Sequence, residues 1–169
     1  MLIAARRALP ADVKSQADAR IASRLSKWLE GRPARVLGAY LPLAGEPDLS
    51  MLYQQFTAAG LQLAMPVVME KNMPLRYAAW REGDALSKDA SGMMAPATRT
   101  AFIEVDMVLV PCVGYTEAGY RLGYGGGYFD RTLAVSPRPM AIGIAYAFTK
   151  TSFATSGFDI ALDQIITDE

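Results

Sequence analysis

Two uninterrupted apolar runs constrain the fold of this 169-residue chain more than any other feature. Met107–Val110 reads MVLV, and Met140–Phe148 reads MAIGIAYAF. Neither run alternates between polar and apolar residues, as a strand with one face in water would. A continuous apolar strand is typical of a parallel sheet that helices cover on both faces. These runs therefore predict an α/β fold.

Hydrophobic periodicity predicts further helices and strands along the chain. The predicted elements, in order, are a helix over Ala11–Glu30, a strand over Arg35–Leu41, a helix over Leu49–Ala59, strands over Leu61–Met65, Leu75–Trp80 and Met107–Val110, a helix over Tyr128–Val135, and strands over Met140–Phe148 and Gln164–Thr167. Leu75–Trp80 alternates like a strand with one wet face. Asp48 is expected to be the N-cap of its helix. Arg81–Thr100 is rich in Gly, Ser, Pro and charge, and we expect a long loop there.

This order of elements predicts one three-layer α/β domain over residues 1–169, with a mainly parallel, Rossmann-like sheet flanked by helices. The length suits a single domain. Met1–Pro10 lacks the features of a signal peptide, and no apolar run reaches transmembrane length. We therefore expect a cytoplasmic protein that is not membrane-bound.

The composition excludes several classes of catalytic site. The chain contains no histidine, which removes Ser-His-Asp and Cys-His nucleophilic machinery. Its single cysteine, Cys112, excludes disulfide frameworks and Cys-cluster zinc sites. A hard cation such as Mg²⁺, held by carboxylates, remains open. The 17 basic and 17 acidic side chains balance, which argues against nucleic acid or an anionic membrane as a partner.

The segment Asp106–Arg131 is the candidate ligand site, because five glycines stand between Gly119 and Gly127. They follow a buried strand and precede a predicted helix, at the edge of a parallel sheet where ligands usually bind. Glycine lets the backbone approach a ligand closely, and free N–H groups at a helix start favour a phosphate. Arg121 adds a bidentate phosphate donor. No Lys-Ser/Thr pair follows the glycines, so the segment is not a Walker motif.

The run Arg121–Arg131, RLGYGGGYFDR, resembles the signature of the 5-formyltetrahydrofolate cyclo-ligase family, also called 5,10-methenyltetrahydrofolate synthetases. Three other segments are similar to that family in order and spacing. They are Tyr40–Leu49 (YLPLAGEPDL), Met73–Tyr77 (MPLRY) and Phe158–Glu169 (FDIALDQIITDE). The resemblance extends over nearly the whole chain.

The resemblance implies an ATP-dependent cyclo-ligase that uses Mg²⁺. Such an enzyme converts ATP and 5-formyltetrahydrofolate to 5,10-methenyltetrahydrofolate, ADP and phosphate. Phosphoryl transfer requires mainly alignment and charge neutralisation from the protein, which suits a chain without histidine. Two other hypotheses stay open: a nucleotide- or folate-binding homologue with impaired catalysis, and a sugar-phosphate enzyme on a similar scaffold. Small molecules are the expected partners, and a monomer is the expected state.

The family's roles transfer to individual residues of this chain. The nucleotide would contact Arg121, Leu122, Gly123, Tyr124, Gly125, Gly126, Gly127, Tyr128 and Phe129, together with Arg6 and Arg7. The folate would contact Leu41, Glu46, Met73 and Trp80, and also Tyr124, Gly125, Gly126, Gly127 and Tyr128. Arg121 and Tyr128 would be catalytic. Asp130 and Asp159 would hold the metal.

The chain departs from the family pattern at three places. The family's opening Lys-x-x-x-Arg element would fall before Met1, which leaves Arg6 and Arg7 as the basic residues of that region. Phe129 replaces the usual second tyrosine of the glycine signature, and Phe158 stands where a histidine is common. We expect these departures to affect turnover more than the fold.

Overall fold

A computed structural model describes every residue from Met1 to Glu169. The helices are α1 (Leu2–Arg7), α2 (Ala11–Leu29), α3 (Ser50–Ala58) and α4 (Tyr128–Leu133), with a 3₁₀ turn at Ala147–Thr149. The strands are β1 (Val36–Gly38), β2 (Gln62–Val67), β3 (Arg76–Trp80), β4 (Leu86–Lys88), β5 (Met94–Pro96), β6 (Met107–Pro111), β7 (Gly114–Tyr115), β8 (Arg121–Leu122), β9 (Met140–Ile144) and β10 (Gln164–Ile166). None of the helices has the length and apolar character needed to cross a membrane.

Six strands form one central sheet in the order β10-β9-β6-β1-β2-β3. Every neighbouring pair in it is parallel except β2 with the edge strand β3. Helix α3 connects the parallel neighbours β1 and β2, which makes the predicted βαβ unit. The predicted α/β class with a mainly parallel sheet is confirmed.

Strand β6 shows why the central strands are apolar throughout. Leu109 belongs to a buried cluster with Ile21 and Leu25 of α2. Its neighbour Val108 belongs to a second buried cluster with Leu133 of α4. Successive side chains of a strand point to opposite faces, so helices cover this sheet on both sides. The continuous apolar runs are therefore confirmed as doubly buried strands.

The ends of several elements differ from the sequence prediction. The first strand covers only Val36–Gly38, and the strand that begins at Met140 ends at Ile144 before a 3₁₀ turn. Helix α1 was not predicted, because its six residues complete fewer than two turns and give no clear periodicity. Asp48 is not the N-cap of α3. Leu49 holds that position, and Asp48 accepts a hydrogen bond from the Ser50 N–H at 2.9 Å.

The predicted long loop over Arg81–Thr100 is wrong, because β4 and β5 form an antiparallel hairpin within it. The Asp89 carboxylate fastens this hairpin, since it accepts hydrogen bonds from the backbone N–H groups of Val68 (2.9 Å), Ser91 (2.9 Å) and Met93 (3.2 Å). Its strands are only three residues long; β4 has no buried residue, and β5 buries Ala95 and Pro96 in succession, so neither shows apolar alternation.

The predicted alternation of β3 is also wrong, because Tyr77, Ala78 and Trp80 are buried and only Arg76 and Ala79 are exposed. Ala78 shows the reason. This residue is buried with Val67 of β2 and Ala95 of the hairpin. The hairpin therefore covers part of the sheet face to which Ala78 belongs, and β3 is left without one continuous exposed face.

Candidate active site

A cavity of about 710 Å³ opens where the parallel strands β1, β2 and β6 end. Leu41 follows β1, Val68 follows β2, and Pro111 ends β6, and all three line the cavity. The hairpin, β8, the start of α4 and the segment near Asp159 complete its wall. The carboxyl edge of a parallel sheet is the usual ligand site, and the volume lies within the roughly 300–1,000 Å³ of small-molecule pockets.

One wall is the glycine loop, which we define as Gly123–Gly127 between β8 and α4. Gly125 and Gly127 have φ angles of +88° and +65°, which disfavour any residue with a Cβ. No backbone N–H from Gly123 to Gly127 donates a hydrogen bond within the protein. The loop therefore offers unpaired donors to a ligand in the cavity. Helix α4 behind it has only six residues, so the loop rather than a helix end carries this donor set.

Arg121 lies beside this loop with its side chain only 8% exposed. Its Nη2 forms an ion pair with Asp130 Oδ2 at 2.9 Å, and its guanidinium carbon lies 5.2 Å from the centre of the Phe129 ring. Its Nε is buried and has no hydrogen-bond partner in the protein. Asp130 and Phe129 thus orient the Arg121 guanidinium on the cavity wall, and some of its N–H groups remain available to a ligand.

Asp130 and Asp159 are carboxylates of the same wall. Asp130 Oδ1 accepts the N–H of Ile160 at 3.2 Å, so Asp130 contacts the residue that follows Asp159. No group of three or more potential metal-ligating side chains exists in the protein. Mg²⁺ often binds through one or two carboxylates together with substrate phosphates. The donor set therefore fits a metal that arrives with a nucleotide better than a metal bound by protein alone.

Glu46 also lines the cavity, and it is only 2% exposed. Its Oε2 accepts the Leu43 N–H at 2.8 Å within a turn that follows β1. Its Oε1 accepts the Tyr124 hydroxyl at 3.0 Å, which ties the turn to the glycine loop. Partial burial and then the Glu46 charge raise the pKa of Tyr124, so its hydroxyl stays protonated. The Glu46 carboxylate is thereby held at the cavity wall as a hydrogen-bond acceptor.

Arg6, a predicted nucleotide contact, does not line this cavity. The side chain is 1% exposed, and its Nη1 donates to the Cys112 carbonyl oxygen at 3.0 Å. Its Nη2 donates to the Tyr124 hydroxyl oxygen at 2.6 Å, so Arg6 lies behind the wall. Arg7 is exposed and does not line the cavity. Successive residues of a helix face different directions, so α1 turns one arginine inward and the other outward.

Two predicted folate contacts are also absent from the cavity wall. Met73 is 51% exposed on the surface, and Trp80 is buried in the main core. Strand β3 runs antiparallel to β2 and pairs Trp80 with Leu63, near the start of β2. This pairing carries Trp80 away from the carboxyl edge where the cavity opens.

The remaining predicted site residues do meet at this cavity. They are Leu41, Glu46, Arg121, Leu122, Gly123, Tyr124, Gly125, Gly126, Gly127, Tyr128, Phe129, Asp130 and Asp159. The wall also contains residues that the sequence analysis missed, above all Met93, Met94 and Asp89 of the hairpin and Phe153. Only the polar, glycine-containing composition of the predicted loop hinted that this segment has a role. Cys112 follows the lining residue Pro111 but is itself buried and does not line the cavity. Burial raises the pKa of its thiol to about 12.

Comparison with known proteins supports the resemblance seen in the glycine signature. A model of the 5-formyltetrahydrofolate cyclo-ligase family matches residues 1–168. A 5-formyltetrahydrofolate cyclo-ligase of Mycoplasma pneumoniae is 46% identical over 67 residues, which are 39% of this chain and 41% of the relative. One from Mycolicibacterium smegmatis is 30% identical over 122 residues, 66% of this chain and 62% of the relative. These alignments span less than two thirds of either relative.

A solved structure extends the likeness to the whole fold. It is a 5,10-methenyltetrahydrofolate synthetase from Mycoplasma pneumoniae, 27% identical in sequence, with a TM-score of 0.81. The superposition covers 99% of this chain and 94% of that one. With the family model matched over nearly its full length, the chain belongs to the 5-formyltetrahydrofolate cyclo-ligase family, a family of ligases.

Proposed function

We propose that this protein cyclises 5-formyltetrahydrofolate to 5,10-methenyltetrahydrofolate with ATP, and releases ADP and phosphate. The observation that carries the proposal is the composition of one cavity. A loop of unpaired N–H donors and Arg121 face it beside a buried acceptor, Glu46. A reaction between a folate and a nucleotide phosphate requires both kinds of surface within one site.

On the nucleotide side, the glycine loop and Arg121 would bind the phosphates. Phosphoryl transfer depends on donors that are already oriented toward the developing charge. Asp130 and Phe129 orient Arg121 in this way before any ligand binds. Asp130 and Asp159 would hold Mg²⁺, which supplies charge neutralisation at the phosphates. Tyr128, also on the wall, would contact the reacting groups.

On the folate side, Glu46 would accept hydrogen bonds from N–H groups of the pterin. A carboxylate has about four acceptor positions, and Leu43 and Tyr124 occupy only two of them. Leu41 and the hairpin methionines Met93 and Met94 add apolar surface on which a ring system can pack. The cavity thus presents a charged acceptor beside an apolar wall.

The chemistry requires no nucleophile from the protein. The formyl oxygen attacks the γ-phosphorus of ATP, and ADP leaves. N10 then adds to the activated formyl carbon and loses its proton, and phosphate departs with the former formyl oxygen. The chain has no histidine, and its one thiol is buried with a raised pKa. Its residues would bind, orient and neutralise charge.

Absorbance at neutral pH tests the proposal. The protein is mixed with 5-formyltetrahydrofolate, Mg²⁺ and ATP, and the near-ultraviolet band of the methenyl product is followed. We expect the band to grow only when ATP is present, with one ADP formed per product. Binding of both ligands without product would instead indicate a homologue with impaired catalysis. A protein that binds neither ligand would refute the proposal.

A further inference from the structure

We propose that Arg6 is a positioning residue for folate binding, which acts through Tyr124 on Glu46 rather than through contact with the nucleotide. This inference rests on the proposed function, since it assigns Glu46 to the folate. It concerns a line of three side chains that we call the Arg6 relay: Arg6, Tyr124 and Glu46.

The Arg6 relay joins three segments that are far apart in the sequence. Arg6 lies in α1, Tyr124 in the glycine loop and Glu46 in the turn after β1. Arg6 Nη2 is 2.6 Å from the Tyr124 hydroxyl, across 118 residues of sequence. The same hydroxyl is 3.0 Å from Glu46 Oε1, across 78 residues. These bonds therefore exist only when the chain has folded, and they end at a cavity-lining carboxylate.

The direction of the Arg6 relay follows from the chemistry of its members. A guanidinium has donors and no acceptor, so the Tyr124 oxygen must accept from Arg6. The single hydroxyl proton of Tyr124 is then free to go to Glu46 Oε1, which only accepts when the carboxylate is ionised. Leu43 N–H holds the other carboxylate oxygen. Arg6 therefore orients the donor that fixes the plane of the Glu46 carboxylate.

The environment of Arg6 favours a role beyond filling space. A fully buried guanidinium costs free energy unless its donors are paired. Arg6 has no direct carboxylate partner: it donates to the Cys112 carbonyl and to Tyr124, and its Nε has no partner. The nearest carboxylate along its hydrogen bonds is Glu46, reached through Tyr124. An apolar side chain would fill the same space without this cost, so we infer that the charge serves the site.

The test measures the binding of each ligand alone, without turnover. The variants are Arg6→Met, Tyr124→Phe and the double variant, and the ligands are 5-formyltetrahydrofolate without nucleotide and ADP without folate. We expect each single variant to raise the folate Kd about tenfold, since a charge-assisted hydrogen bond is lost. The double variant should lose no more than either single one, because both changes break the same relay. In Arg6→Met the ADP Kd should change by less than about twofold, because Arg6 does not line the cavity.

Matched control variants separate this effect from substitution as such. Tyr120→Phe removes a hydroxyl that has no hydrogen-bond partner in the protein, and Arg24→Met removes an exposed arginine of α2. Neither residue lines the cavity. Both variants should bind folate as the unchanged protein does.

Three outcomes would overturn the inference. The first is a raised ADP Kd with an unchanged folate Kd in Arg6→Met, which would place Arg6 at the nucleotide. The second is an additive loss in the double variant. The third is an unchanged folate Kd in Tyr124→Phe, which decides the matter alone if Arg6→Met does not fold. If the protein without any substitution binds no folate, the proposed function itself is refuted. That result differs from the three outcomes above, which concern the variants only.

Discussion

At the scale of single residues, Arg121 and Asp130 hold each other in place on the cavity wall. Their ion pair measures 2.9 Å, and little of either side chain is exposed. Asp130 also accepts the Ile160 N–H, so the pair links β8, α4 and the segment after Asp159. Orientation of this kind is what phosphoryl transfer asks of a protein.

We expect Arg121→Ala to lower kcat/KM for ATP by about 10²–10³-fold, the usual loss for one oriented charge-stabilising donor. Steady-state kinetics with a saturating folate concentration measure this. Arg138→Ala is the matched control. Arg138 also forms an ion pair, with Asp163 at 2.8 Å, but neither residue lines the cavity. An unchanged kcat/KM for ATP in folded Arg121→Ala would remove Arg121 from the site.

Asp130→Asn should move the Mg²⁺ dependence of turnover to higher concentration, because an amide lacks the charge of a carboxylate. The amide oxygen can still accept the Ile160 N–H, so the fold around it is kept. Asp163→Asn removes a carboxylate from a similar ion pair and should leave the Mg²⁺ titration unmoved. If the titration of Asp130→Asn overlays that of the unchanged protein, Asp130 is not a metal ligand.

At the scale of elements, β1 contains a glycine, Gly38, whose Cα is packed closely against the side chains of Tyr77 and Val108. A Cβ at Gly38 would lie 2.8 Å from the Tyr77 ring and 2.9 Å from the Val108 side chain. Both neighbours are buried, so neither can move away freely. Close packing of β1 between β2 and β6 therefore requires glycine at this position.

We expect Gly38→Ala to lower the free energy of unfolding by about 1–3 kcal/mol, the usual cost of overpacking a core. Denaturant unfolding measures the change. Gly157→Ala is the control, since a Cβ there would meet no atom within 4 Å. Equal stability of the two variants would contradict the packing described for β1.

The Asp89 carboxylate accepts backbone hydrogen bonds within the β4–β5 hairpin and from Val68, and this makes the hairpin sensitive to acid. Burial alone would raise the pKa of Asp89, but hydrogen bonds from Ser91, Val68 and Met93 bring it below its ordinary value. A pKa that is lower in the folded state contributes stability above the ordinary value of about 3.9, and this stability is lost as the pH falls through the folded value.

We therefore expect the amide protons of the hairpin to lose protection against hydrogen exchange as the pH falls below about 4. In Asp89→Asn, protection should be lower and should lack this pH dependence. Asp106→Asn is a useful control, because Asp106 also has a lowered pKa but bonds to Val36 and Arg35 in another part of the sheet. A hairpin whose protection falls equally with pH in Asp89→Asn would show that Asp89 does not fasten it.

The same elements show what the sequence could predict. The buried runs MVLV and MAIGI identify β6 and β9 because both faces of those strands are apolar. The hairpin has no such signal, since most of its residues are exposed and the side chains of Asp89 and Arg99 bond to its backbone. The local pattern of apolar residues therefore predicts buried strands, and it misses exposed strands that are stabilised by hydrogen bonds from polar side chains.

At the scale of the whole molecule, the site was predictable where one continuous segment builds it. The glycine signature from Arg121 to Asp130 lines the cavity throughout. Residues whose position depends on pairing between distant segments were not predictable. The register of β3 against β2 takes Trp80 to the far end of the sheet, and the packing of α1 turns Arg6 behind the wall.

The central claim is that the protein transfers the γ-phosphoryl group of ATP to the formyl oxygen of the folate. Transfer of an oxygen isotope tests this claim most directly. The substrate is 5-formyltetrahydrofolate with ¹⁸O in the formyl group, incubated with the protein, Mg²⁺ and unlabelled ATP at neutral pH. Because the formyl oxygen would attack the γ-phosphorus, we predict that each phosphate released carries one ¹⁸O atom, as read by mass spectrometry. Release of unlabelled phosphate together with methenyl product would contradict the account.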